Sequence, residues 1–80
     1  MTDKLQAQVD AVASLIATER KLLDRHRRDW KNAAEGGFHG LCEELEIAIT
    51  KAERKLLRLD VQRSHLQEQI KEVATDRSSG

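Results

Sequence analysis

The chain is predicted to be all-α: an antiparallel two-helix hairpin of coiled-coil type that dimerises into a four-helix bundle. Three observations lead there. Leu5, Val9, Val12, Ile16, Leu23, Trp30 and Ala33 recur at alternating spacings of four and three, interrupted by Glu19 and His26; this is a heptad seam on one long helix. A second seam runs through Phe38, Cys42, Leu45, Ile49, Ala52, Leu56, Leu59, Arg63, Leu66, Ile70 and Val73. Between them lies a glycine-rich break, Gly36-Gly37-Phe38-His39-Gly40. With 35% charged residues, 2% aromatics and no proline, the composition is that of long helices rather than of a mixed globule.

The 80 residues read as one helical-hairpin domain, residues 1–80. Helix 1 is expected over residues 3–35, with Asp3 as N-cap and Gln6 completing a weak capping box. At its helical rise it spans roughly 48 Å. Gly36 is expected to take the left-handed position that ends the helix, and Gly37 to turn the chain. Phe38 and His39 then fill a loop over residues 36–40. Gly40 is the expected N-cap of helix 2, which places Glu43 and Glu44 in its first turn, where the dipole favours anions. Helix 2 is expected over residues 41–74, followed by a frayed polar tail over 75–80; Met1 and Thr2 are expected to fray as well.

Two arms of similar length joined by a short loop should fold back antiparallel. Seam residues find partners when their numbers sum to about 75, so that a positions of one helix meet d positions of the other. Trp30 then meets Leu45, Leu23 meets Ala52, Ile16 meets Leu59, Val9 meets Leu66 and Ala33 meets Cys42. On the e flank, Arg20 falls opposite Glu53 and Arg27 opposite Glu46, two opposite-charge pairs that support the same register. The g flank shows no such pairing. Leu15, Leu22, Leu41 and Ala48 lie there, and a lone hairpin would leave the leucines wet. Burying one leucine is worth about 1.5–3 kcal/mol, so these four residues are the expected dimer interface, with a second copy of the chain as the simplest partner. Glu19, His26 and Arg63 are the polar seam. Buried and unpaired they would be costly, so they are expected to reach the seam edge or to pair, and to fix register and oligomeric state.

Catalysis needs a concave site with converging groups, and two helices offer little concavity; no enzyme activity, cofactor or small-molecule substrate is expected. The glycine-rich break lacks the Lys-Ser/Thr of a phosphate loop and any preceding strand. His39 and Cys42 supply two metal ligands where structural zinc takes four, so no metal is expected. Cys42, a lone cysteine at a seam position, reads as core rather than nucleophile and excludes an intrachain disulfide. Fourteen Lys and Arg balance fourteen Asp and Glu. No segment has the pattern of a signal peptide or the apolar length to span a membrane, so a cytoplasmic setting is expected.

Two surface features carry the functional reading. Ile47, Leu57 and Val61 occupy b and f positions of helix 2, away from the seam and the g flank, and are the candidate face for a protein partner. Lys21, Arg25, Arg28 and Lys31 on helix 1, with Arg54, Lys55 and Arg58 beside Lys51 on helix 2, form a basic waist that could meet phosphates. Asp24 and Asp29 are interleaved with it as i,i+4 partners. In length and topology the chain resembles the plasmid-encoded, RNA-binding Rop hairpin dimers, which implies RNA or another nucleic acid as an alternative partner. The first expectation is a small non-enzymatic regulator, adaptor or inhibitor that binds a partner protein as a homodimer. A structural subunit of a larger assembly is a further alternative.

Overall fold

A computed structural model describes residues 2–79, with side chains for residues 3–74. Two helices make up the fold: α1 (Thr2–Glu35) and α2 (His39–Ser79). They lie side by side in a rod 65 × 14 × 13 Å in Cα extent, with the longer α2 running past the start of α1.

The turn between the helices is set by Gly37. Its φ is +76°, a conformation glycine adopts without the penalty a Cβ would add. Around it the N–H of Phe38 donates to the Ala33 carbonyl at 2.9 Å and that of Gly37 to the Ala34 carbonyl at 3.2 Å. This pair of bonds is a Schellman cap, and it satisfies carbonyls that the end of α1 would leave open. Gly37 is therefore the left-handed residue, not Gly36. The Phe38 carbonyl accepts the first forward bond of α2, from the Cys42 N–H at 3.0 Å. Phe38, rather than Gly40, thus stands at the N-cap, and the connection is shorter than the predicted 36–40 loop. The first turn of α2 consequently holds no acidic residue, and Glu43 and Glu44 follow it.

Other boundaries move for local reasons. α1 already begins at Thr2, so Asp3 sits inside its first turn, where its charge still complements the helix dipole. Gln6 donates forward to Asp10 at 3.1 Å instead of closing a capping box. α2 continues to Ser79, past the predicted end at residue 74, because no glycine or proline separates Gly40 from Gly80. Met1 and Gly80 lie outside the described residues, as do the side chains of 75–79.

The seam closes as a heptad pairing requires. Val9, Val12, Ile16, Leu23 and Ala33 of α1 are buried, together with Ala52 and Leu59 of α2. Val12, Ile16 and Leu59 form one cluster, with Leu56 and Leu66 packed against it; Ile16 and Leu59 are partners in the predicted register. Leu5, Cys42, Leu45, Ile49, Ile70 and Val73 are half-buried. Trp30 and Phe38 depart from the pattern. Trp30 is 36% exposed, since a two-helix seam has no third wall to cover an indole. Phe38 belongs to the turn and is largely exposed; its ring lies so close to Gly36 that a Cβ there would stand 2.7 Å from Cε2.

Candidate protein-interaction surfaces

The hairpin has three kinds of surface: an e flank closed by polar contacts, a g flank left apolar, and two outer faces turned away from the seam. On the e flank, the Trp30 indole N–H donates to Glu46 Oε1 at 3.2 Å, and Arg27 pairs with Glu53 at 3.8 Å. The predicted pairs Arg20–Glu53 and Arg27–Glu46 are not formed. Side chains on a helix lean toward its N-terminus. In an antiparallel pair, partners numbered below the seam sum therefore lean apart, whereas Arg27 and Glu53, numbered above it, lean together. The indole then takes the carboxylate that Arg27 does not reach.

On the g flank Leu15, Leu22 and Leu41 are 51%, 40% and 48% exposed, with Ala48 half-buried beside them. No element of the hairpin covers them. One charge contact does occur here, against expectation: Lys55 Nζ meets Glu19 Oε1 at 2.7 Å. The Glu19 side chain is only 13% exposed, and the flexible lysine stem reaches over the seam edge to neutralise it, a reach that pairing of flank with flank did not anticipate. Arg63 pairs with Asp60 one turn earlier at 3.2 Å, and His26 is half-buried. The three polar seam residues thus do not pair with one another; Glu19 and Arg63 are each resolved at the seam edge.

The outer face of α2 carries Ile47, Leu57 and Val61, all well exposed. A shallow depression at the Ile47 end of this face is lined by Glu43, Glu46, Ile47, Thr50, Lys51 and Arg54. The basic waist divides in two. With each residue turned about 100° from the last, Lys21, Arg25 and Arg28 point away from the seam on α1, while Lys51, Arg54 and Arg58 point away from it on α2. The backs of two paired helices face opposite directions, so the two clusters do not make one strip. Arg20–Asp24, Asp24–Arg28 and Arg25–Asp29 are not closed as ion pairs. Lys31 lies exposed beside the α1 cluster.

For chemistry, His39 is exposed at the start of α2 and Cys42 is half-buried, its Sγ 3.9 Å from the Trp30 carbonyl oxygen. Among the described residues no group of three or more His, Cys, Asp or Glu could hold a metal ion. No helix among them is long and apolar enough to cross a membrane. No protein-family model, curated protein or solved structure matches the chain.

Proposed function

We propose that this chain is a non-enzymatic helical hairpin that acts by binding protein, as a homodimer joined through the g flank, and serves as a regulator, adaptor or inhibitor. One observation carries the reading. The hairpin exposes 6307 Å², whereas a compact monomer of 9.1 kDa exposes about 4,900 Å². The excess is about 1,400 Å² per chain, more than the roughly 800 Å² that each partner gives to a standard interface. Leu15, Leu22, Leu41 and Ala48 supply an apolar strip for it, and the e flank, closed by Arg27–Glu53 and Trp30–Glu46, does not compete.

The experiment is paired light scattering and circular dichroism on Leu15→Glu/Leu22→Glu. Both residues are exposed in the hairpin, so each glutamate is tolerated in a monomer and excluded from a dimer. The double variant should lose half the mass of the parent or unfold. A dimer of unchanged mass would place the interface elsewhere. The Rop-like alternative, a nucleic-acid-binding dimer, draws on the unpaired basic residues of the outer faces; their division between opposite sides leaves each with a short phosphate-binding strip at most.

A further inference from the structure

We infer that the outer face of α2 is a docking strip for an acidic amphipathic helix, an inference that rests on the protein-binding reading but not on the dimer. Ile47, Leu57 and Val61 are 59%, 66% and 67% exposed. At helical spacing they fall within an arc of about 80° opposite the seam. The strip they define runs for about 21 Å, enough for four turns of a partner helix laid along it. Such a partner binds by apolar residues at i, i+3, i+4 and i+7.

The charge around the strip selects the partner's sign. Lys51, Arg54 and Arg58 lie within or along one edge of it, all exposed and without an ion-pair partner among the described residues. The acids lie toward the other edge and the N-terminal end of the strip: Glu53 faces Arg27, Glu46 accepts from Trp30 and keeps its charge, and Glu43 lines the same depression as Ile47. From residue 51 to residue 58 the cations Lys51, Arg54 and Arg58 stand against Glu53 alone, so the middle of the strip is positive although the chain as a whole carries no net charge. A helix with leucines on one face and glutamates or aspartates beside them meets both the apolar strip and the three cations. A basic helix meets the same strip against like charge, which costs affinity and association rate.

The test uses the full chain and three labelled probes followed by fluorescence anisotropy. These are a leucine-heptad peptide flanked by glutamates, the same peptide with lysines for glutamates, and oligo-uridine RNA. The acidic peptide should bind at least about tenfold more tightly than the basic one. Leu57→Asp/Val61→Asp should lower that affinity by about tenfold or more. The charge swap Lys51→Glu/Arg54→Glu/Arg58→Glu should reverse the preference toward the basic peptide. All five positions are exposed, and circular dichroism on the same samples checks that the helices persist. Equal binding of both peptides, no binding of either, or RNA captured in place of peptide by these cations would overturn the inference. Light scattering on the same samples reports the mass, so a failed peptide arm with an intact dimer refutes this face alone.

Discussion

Replacing Glu19 with leucine should make the protein more stable, although it removes an ion pair. Glu19 occupies a seam d position with its side chain 13% exposed and its carboxylate 2.7 Å from Lys55 Nζ. The lysine is 56% exposed, so water screens much of the attraction, and an exposed pair contributes about 0–1 kcal/mol. The glutamate side chain is nevertheless largely shielded from water, and pairs of this kind are often bettered by an apolar residue of similar volume. A leucine at position 19 would continue the seam beside Leu56 and gain up to about 1.5–3 kcal/mol on full burial. We therefore expect Glu19→Leu to stabilise by about 1–2 kcal/mol. Lys55→Met, which strands the carboxylate, should destabilise by about 1 kcal/mol. The double variant should resemble Glu19→Leu alone, because methionine at 55 has no charge left to abandon. Urea unfolding followed by circular dichroism measures all three, at one fixed protein concentration since association adds to stability. A destabilised Glu19→Leu with an unchanged unfolding slope would show that the pair outweighs apolar burial and refute the reasoning.

Further outcomes follow from the turn and the core. Gly37→Ala should cost about 1–2 kcal/mol by forcing a Cβ into the left-handed region, seen as a lower urea midpoint. Gly36→Ala meets the ring of exposed Phe38, which can swing away, and should cost much less; equal costs would contradict the cap geometry. Ile16→Ala, at 3% exposure against Val12 and Leu59, should cost about 2–5 kcal/mol. Arg27→Ala should fall within about 0.5 kcal/mol of the parent, since its pair with Glu53 is exposed; both are read from the same unfolding curves.

The hairpin was legible because heptad spacing and the glycine break are properties of the chain itself. Val9, Val12, Ile16, Leu23, Ala33, Ala52 and Leu59 are buried where periodicity places them. What periodicity does not contain is side-chain length and lean. It aligned Arg20 with Glu53 and Arg27 with Glu46 by backbone level, but the guanidinium of Arg27 reaches Glu53. It also assigned Trp30 to the seam by hydrophobicity, although an indole is too large for a seam two helices wide. Its position near Glu46 was the available signal for the bond that forms. Two adjacent glycines could each have taken the left-handed position; the Ala33 and Ala34 carbonyls decide for Gly37 through the bonds they accept. The candidate surfaces were readable as residue sets. Whether the basic residues formed one strip depended on where the backs of the helices point, and the fold separates them.

The reading rests on apolar surface that a second copy covers. Sedimentation equilibrium of the unaltered chain, from low micromolar to near-millimolar concentration, tests it most directly. The account predicts a discrete species of twice the 9.1 kDa chain mass, dissociating on dilution if at all. A single-chain mass across the whole range, with the helices intact, would contradict it.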